Sequence, residues 1–277
     1  MNTVNDVVEA AINYVVPMKK RAKFHAQDAR RDNLILKSHV MQIENARKFS
    51  TAPSLDREGF AIARQRTSVK NFHDREELSR VYLPELQRFL MEYTGAVRVT
   101  LLDAGGMVRY AERSSQYGTG INTRPARFPH VDFTDRTGPG LVDDVFGAKQ
   151  EVLQPGERII GLNLWRVISE PPQDVPLAVC DSRSVAKRDL IPADGVYDVG
   201  DPETWMELEA YVVAHSPAHR WAYFRDMQPD EVLMFRSYDS GPGWRAGVPH
   251  SAFDDPTCPP DAPARVSMEA RAIVVLR

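Results

Sequence analysis

The chain has little cysteine. Of its 277 residues only two are cysteines, Cys180 and Cys258, too few for a disulfide framework and without the C-x-x-C spacing of a zinc or redox motif. This scarcity favours a reducing compartment, and we expect a cytoplasmic protein.

Long apolar runs and a charge excess are also lacking. No stretch of about 18 apolar residues is present, and the first residues lack the basic segment and apolar core of a signal peptide. The formal net charge of −3 gives no reason to expect a nucleic acid or a membrane as a partner. What remains is an ordinary globular composition, 43% hydrophobic and 26% charged, in a chain long enough to bury a sizeable core.

From about Asn122 onward the chain consists of short extended segments separated by proline, glycine and aspartate. This pattern is typical of an all-β sandwich or barrel. A short helix is predicted over Gly140–Phe146, and the predicted strands are Phe128–Thr134, Arg158–Val167, Leu177–Cys180, Leu208–Ala214, Trp221–Phe224, Val232–Ser237 and Val266–Leu276.

The N-terminal third mixes strands with one helix. Residues 7–16 predict a strand or short helix, and short strands at 33–40 and 59–64 indicate a β-hairpin region. Asp74 is the expected N-cap of an amphipathic helix that Gly95 ends. We therefore expect one domain over residues 1–277, in which residues 1–95 pack on a β core formed by 96–277.

Two metal-binding side chains stand close together in the β-rich part. His130 and Asp132 are two residues apart, so on an extended chain their side chains point to the same face. Alone, such a pair is a weak signal. A distant histidine, His250, would complete the 2-His-1-carboxylate triad that suits ferrous iron and leaves other positions open.

The last predicted strand carries an alternating row of polar residues that share one face: Arg265, Ser267, Glu269 and Arg271. One interpretation is the solvent-facing side of an edge strand. The other is functional, because the remote carboxylate of 2-oxoglutarate needs a partner in an iron oxygenase that uses this co-substrate. Arginine matches a carboxylate through two parallel hydrogen bonds, and Arg265 with Ser267 has that chemistry. Glu269 would then pair with Arg271.

Further candidates lie on or near the other predicted strands. Arg166 shares a face with Leu164 if the strand alternates strictly. It either pairs with a buried acid such as Asp181 or binds a carboxylate of substrate or co-substrate. Aromatic side chains that could line a substrate pocket, with plain core packing as the alternative, are Tyr117, Phe133, Trp165, Trp221, Phe235 and Tyr238.

Successive segments between roughly residues 110 and 275 carry a resemblance to a known family: 128–134 (FPHVDFT), 163–166 (NLWR), 176–185 (PLAVCDSRSV), 221–227 (WAYFRDM), 231–240 (EVLMFRSYDS), 249–253 (PHSAF) and 267–271 (SMEAR). The chain resembles the bacterial and fungal hydroxylase/desaturase family of non-haem iron, 2-oxoglutarate-dependent oxygenases of secondary metabolism. Its members include cephamycin methoxylation proteins, gibberellin desaturase relatives and meroterpenoid endoperoxide-forming enzymes. Departures from the family pattern are Val167, where proline is usual, and Ser182, where alanine is common.

The resemblance implies a mainly β fold, a double-stranded β-helix (jelly roll) with flanking helices and an N-terminal hairpin and helix region. It also implies Fe(II), 2-oxoglutarate and O2 as cofactor and co-substrates. His130, Asp132 and His250 would bind the iron, and Arg265 and Arg271, helped by Ser267, would anchor 2-oxoglutarate. The expected reaction is C–H hydroxylation, desaturation or oxidative cyclisation of a small-molecule natural-product intermediate. A homodimer is compatible with this assignment.

Two other functions stay open at this point. The chain could be a non-catalytic partner subunit of a two-component oxidative system. It could also be a zinc or manganese hydrolase or isomerase of cupin type, because two histidines and one aspartate also suit zinc.

Overall fold

The computed structural model describes residues 6–26, 28–118, 124–140, 153–197, 206–243 and 247–277. Within these ranges the strands are β1 (Val7–Val15), β2 (Ala22–His25), β3 (Leu36–Asn45), β4 (Phe60–Arg64), β5 (Arg98–Tyr110), β6 (His130–Val131), β7 (Arg158–Val167), β8 (Leu177–Cys180), β9 (Leu190–Tyr197), β10 (Met206–Val213), β11 (Trp221–Tyr223), β12 (Glu231–Asp239), β13 (His250–Ala252) and β14 (Val266–Leu276). The helical segments are α1 (Arg75–Glu77), a π-helical turn (Leu78–Tyr82), α2 (Leu83–Thr94) and 3-10 turns at Ala29–Arg31, Ala46–Lys48, Ser182–Ser184 and Lys187–Asp189.

The strands form two sheets. One has nine strands in the order β1-β3-β11-β8-β13-β6-β10-β9-β2, and the other has five in the order β4-β12-β7-β14-β5. Pairing is antiparallel except between β3 and β11 and between β2 and β9. Side chains from both sheets share one buried cluster, which includes Trp165, Phe235, Val179 and Ala222. The jelly-roll prediction is confirmed.

Alternation along β7 and β14 gives the five-stranded sheet two different faces. Leu162, Leu164, Met268 and Ala270 lie on the outer face, in one cluster with the buried residues of the helix. The opposite face points toward the nine-stranded sheet. Every second residue of these strands therefore faces the interior of the roll.

The helix that covers the outer face begins and ends as predicted. The Asp74 carboxylate accepts hydrogen bonds from the backbone N–H groups of Glu76 (2.9 Å) and Glu77 (3.1 Å). Gly95 follows α2 with φ of 69°, the left-handed conformation that glycine adopts most readily. No helix in the described ranges has the length and apolarity needed to cross a membrane.

The N-terminal strands pair differently from the prediction. β1 pairs antiparallel with β3, whereas β4 joins β12 in the other sheet. The predicted hairpin of residues 33–40 with 59–64 is therefore wrong. The first of these segments pairs with β1, and the second pairs with β12. β9 was not predicted, since its Pro192 and Gly195 are typical of loops. The predicted helix over 140–146 lies outside the described residues apart from Gly140.

Candidate metal centre

A single strand pairing assembles the predicted triad. β6 and β13 run antiparallel with His130 directly opposite His250, which puts the two imidazoles side by side. Their ring centroids are 4.2 Å apart. Asp132 follows β6, and the ligand atoms of all three residues lie within 4.8 Å of one another. In the described part of the chain, no other group of three or more His, Cys, Asp or Glu side chains could hold a metal ion.

Backbone carbonyls set the tautomer of both histidines. His130 Nδ1 lies 3.1 Å from the carbonyl oxygen of Phe128, and His250 Nδ1 lies 3.2 Å from that of Val248. Because a carbonyl oxygen only accepts, each Nδ1 carries the proton and donates it, and each Nε2 keeps a free lone pair. The Nε2 atoms lie 3.6 Å (His130) and 3.9 Å (His250) from Asp132 Oδ1.

Burial favours the ligating form of His250. Desolvation, with the neighbouring His130 as a second cause, lowers the pKa of His250 to about 4. The imidazole is therefore neutral at physiological pH, which is the form that binds a metal.

The Asp132 carboxylate is buried but stays ionised. Burial alone would raise its pKa, yet Arg271, His250 and His130 together hold the pKa well below its usual range. Its second oxygen, Oδ2, accepts hydrogen bonds from Arg271 Nε at 2.6 Å and from Asn163 Nδ2 at 2.7 Å. Oδ1 is the oxygen that lies within 4 Å of both imidazole Nε2 atoms.

A cavity opens beside the triad. Its empty volume is about 400 Å³, counting the open space at its mouth. Its walls are Arg109, Pro125, Ala126, His130, Trp165, Pro176, Leu177, Phe235, His250, Ala252, Arg265 and Glu269. A wider surface groove shares Ala252 with this cavity, and the polar side chains of Asn13, Glu112 and Arg127 line part of the groove.

Arg265 is a buried cation in the wall of this cavity. Only 2% of it is exposed, and the guanidinium lies 5.8 Å from the centre of the Trp165 ring. It donates to the carbonyl oxygen of Val175 and to Ser267 Oγ, both neutral groups. Burial and the nearby Arg109 lower its pKa to about 10, so it keeps its charge at neutral pH. No carboxylate in the described ranges forms an ion pair with it.

Arg271 lies beside the metal ligands and does not line the cavity. Besides Asp132, it contacts Glu269, whose Oε1 accepts from Arg271 Nη2 at 3.0 Å. The predicted Glu269–Arg271 pair is thus present, and Arg109 Nε binds the other oxygen of Glu269 at 3.0 Å. These charges face the interior of the roll, which overturns the alternative of a solvent-facing edge.

Arg166 is not at the site. Alternation puts it on the outer face of β7 with Leu164, where its guanidinium lies 5.2 Å from the centre of the Tyr82 ring. It donates to the side chain and backbone of Gln65 and to the Pro229 carbonyl oxygen. The structure therefore contradicts both its predicted role toward a carboxylate and its predicted partner Asp181.

Two of the candidate aromatic residues line the cavity, Trp165 and Phe235. Trp221 does not, because Ala222 is the residue of β11 that faces the inner cluster, and the Trp221 indole N–H donates to Tyr14 Oη at 2.6 Å. Tyr238 follows a bulge in β12 and packs in a separate cluster with Ile159, Ile273 and Val275. Phe133 is buried away from the cavity walls, and Tyr117 lies under the Arg124 guanidinium, with its ring centre at 5.3 Å.

Sequence reasoning missed two contributions to the site. No role at the site was predicted for Asn163, which precedes Arg166 in the 163–166 segment. In the structure β7 and β14 pair so that Asn163 lies opposite Arg271. Arg109 on β5 was not considered. Its position between Val108 and Tyr110 in an extended segment was the one available signal, because a charged residue at that place needs either solvent or a partner.

The donor set fits iron and also fits zinc. Two neutral imidazoles and one anionic carboxylate are offered from one side, as in the 2-His-1-carboxylate sites of non-haem iron oxygenases. Three protein ligands also suit catalytic zinc. The Arg265 cation in the same cavity has no acidic partner among the described residues, and it distinguishes the two because it fits a co-substrate that brings its own carboxylate.

A jelly roll that presents such a triad beside a buried arginine defines the class of non-haem metal-dependent oxygenases. The chain belongs to the family described as Oxidoreductase/YMDC permease-like domain, which matches residues 12–275.

Named relatives agree with this class. The hydroxylase/desaturase efuI of Hormonema carpetanum is 32% identical over 238 residues, covering 80% of this chain and 78% of the relative. The alpha-ketoglutarate-dependent dioxygenase phiK of a fungal species is 28% identical over 97% of this chain and 96% of its own. Among solved structures, the iron and alpha-ketoglutarate-dependent endoperoxidase NvfI superposes with a TM-score of 0.78 at 24% identity, covering 98% of both chains. This likeness shows the shared fold.

Proposed function

We propose that this protein is an Fe(II)/2-oxoglutarate-dependent oxygenase that hydroxylates, desaturates or oxidatively cyclises a small-molecule natural-product intermediate. The observation that carries the proposal is the placement of Arg265. A buried guanidinium that forms no ion pair with any described carboxylate, in the cavity that His130 and His250 also line, is the complement of a dicarboxylate held at one end by a metal. A hydrolytic zinc site needs no such cation.

His130, Asp132 and His250 would hold the iron. Each Nδ1 keeps its proton and donates it to the backbone carbonyl of Phe128 or Val248, so the metal would receive neutral nitrogen ligands. When bound, ferrous iron and 2-oxoglutarate supply, with O2, the oxidative decarboxylation that activates a substrate C–H bond.

The remaining residues bind and orient. Arg265 and Ser267 take the remote carboxylate of 2-oxoglutarate, and Trp165 packs along the arginine. Phe235 and Leu177 make part of the wall apolar and exclude water near the metal. The substrate enters along the groove that adjoins the cavity at Ala252, and the outcome of the reaction depends on which of its C–H bonds is held nearest the metal.

The setting of the enzyme is part of the proposal. Cys180 and Cys258 are free thiols, which supports a reducing, cytoplasmic location. We expect neither nucleic acid nor membrane as a partner, and a homodimer is compatible with the proposal. The whole chain would act as one catalytic domain.

The test is anaerobic loading with Fe(II), followed by 2-oxoglutarate, O2 and a panel of natural-product intermediates. We expect succinate and CO2 to form in an iron-dependent manner, faster in the presence of an accepted compound. Hydrolysis or isomerisation of panel members by the zinc-loaded protein, with no succinate from the iron-loaded one, would establish the metal-hydrolase alternative. Binding of 2-oxoglutarate without its decarboxylation under all conditions would favour a non-catalytic partner subunit.

A further inference from the structure

The two oxygens of Asp132 have different surroundings. Oδ1 lies within 4 Å of both histidine Nε2 atoms, at 3.6 and 3.9 Å. Oδ2 is occupied by two donors, Arg271 Nε at 2.6 Å and Asn163 Nδ2 at 2.7 Å. A carboxylate can bind a metal through one oxygen or through both. In this protein the second oxygen, Oδ2, already accepts two hydrogen bonds.

Both donors are themselves fixed. Asn163 is fully buried, and its Nδ2 also lies 3.2 Å from Glu269 Oε1. Because both contacts of this nitrogen are to carboxylates, only the N–H side of the amide can face them. Arg271 is held on its other side by Glu269 at 3.0 Å, and Glu269 is held in turn by Arg109 at 3.0 Å. Asp132, Arg271, Glu269 and Arg109 therefore form a chain of alternating charge, and Asn163 bridges the two carboxylates; all of them except the partly buried Arg109 are buried.

This chain reaches the wall of the co-substrate cavity. Glu269 and Arg109 both line it, whereas Arg271 and Asn163 lie behind them. The register of β14 on β7, with Arg271 opposite Asn163 and Glu269 opposite Trp165, puts the donors to Asp132 and the cavity wall on one sheet face. Arg271, which holds Asp132, is therefore hydrogen-bonded to Glu269, a residue of the cavity wall.

We propose that Arg271 and Asn163 are positioning residues that restrict Asp132 to one-oxygen ligation and so keep three metal positions open. This inference rests on the proposed function, since 2-oxoglutarate needs two of those positions and O2 the third. Without Arg271, Oδ2 is released and Asp132 can bind through both oxygens. One open position is then lost, and 2-oxoglutarate must compete with a protein ligand.

The experiment uses the full chain loaded anaerobically with Mn(II), an ion of octahedral preference whose bound waters can be counted by EPR line broadening in 17O-enriched water. We expect wild type to hold three waters and to lose two when 2-oxoglutarate is added. Arg271→Met should hold two waters and bind 2-oxoglutarate roughly 10- to 100-fold more weakly, the usual range for disturbing a partner of a metal ligand. Arg271→Lys, which keeps the charge and one donor, should restore the third water.

Arg166→Met is the matched control. It removes a buried arginine from the neighbouring strand, on the other sheet face, where the guanidinium binds only neutral groups. This variant should keep three waters and the affinity of wild type for 2-oxoglutarate. If Arg271→Met does not fold, Asn163→Ala removes the other donor and should shift the water count in the same direction.

Three results would overturn the inference: three waters in the folded Arg271→Met and Asn163→Ala proteins, unchanged affinity for 2-oxoglutarate, or complete loss of Mn(II) from folded Arg271→Met. The last would mean that the arginine is needed to keep the ligand in place at all. Failure of wild type to lose water on addition of 2-oxoglutarate would instead count against the proposed function. The two failures are therefore distinguishable.

Discussion

Replacing Arg265 with methionine is the sharpest test of the co-substrate site. Methionine keeps much of the side-chain volume but removes the charge and the two-donor fork. Truncating one partner of a buried, hydrogen-bonded charge pair costs about 2–5 kcal/mol. At about 1.4 kcal/mol for each factor of ten, the KM for 2-oxoglutarate should rise roughly 30- to 5,000-fold.

The same substitution has an opposite effect on the metal-free protein. The variant lacks the hydrogen bonds that Arg265 donates to Val175 and Ser267, each worth about 1 kcal/mol. In return, the protein no longer buries a cation without an acidic partner, which costs several kcal/mol. The Tm of metal-free Arg265→Met should therefore equal or exceed that of wild type.

The assays are the 2-oxoglutarate dependence of succinate formation and a thermal melt without metal. Arg166→Met serves as the control, since its guanidinium is equally buried but lies on the outer sheet face. A change in KM of less than threefold, or a loss of more than about 5 °C in Tm for Arg265→Met, would show that this arginine is structural and that the assignment is wrong.

Three other predictions concern the metal ligands, pH and the helix. His130→Ala and Asp132→Ala should each abolish iron binding and turnover while leaving the far-UV circular dichroism spectrum unchanged; retained iron-dependent activity would remove the proposed site. Burial lowers the pKa of His219 in the folded protein despite the nearby Asp189, so the unfolded chain binds more protons. The stability contributed by neutral His219 should therefore be present above about pH 6.5 and fall as the solution becomes more acidic. Denaturant midpoints at several pH values test this, and His219→Gln should make the profile less steep in that window, while buried His250, whose pKa is also lowered, still contributes to the slope. Asp74→Ala should cost about 1 kcal/mol of stability through loss of the helix N-cap, with no change in the KM for 2-oxoglutarate; an altered KM would mean that the helix communicates with the site.

Local patterns in the sequence were enough for much of the fold. β7, β8 and β14 were predicted with the bounds they have, because period-two alternation and turn residues depend only on the neighbouring sequence. The N-cap at Asp74 was readable for the same reason. Strict alternation also indicated that Arg166 faces away from Asn163, although the partner of Arg166 was not foreseen.

The pairing of strands within the two sheets could not be predicted from the sequence. β4 joined β12, a strand far away in sequence, instead of β3. β9 formed despite an internal proline and glycine, because it pairs with the following strand β10 and also with β2, which is far away in sequence. Propensity at these positions was outweighed by contacts that exist only in the folded chain.

The same division applies to the site. Residue types and their order along the chain determined the candidate triad and the candidate carboxylate anchors Arg265 and Arg271, since imidazole, carboxylate and guanidinium chemistry does not depend on the fold. Which oxygen of Asp132 lies near the histidines, which arginine holds that carboxylate and which arginine of the cavity wall forms no ion pair with a described carboxylate were decided by the tertiary structure alone. These contacts depend on strand register, because a shift of one residue between β7 and β14 would turn Arg265, Glu269 and Arg271 away from the face that Asn163 occupies.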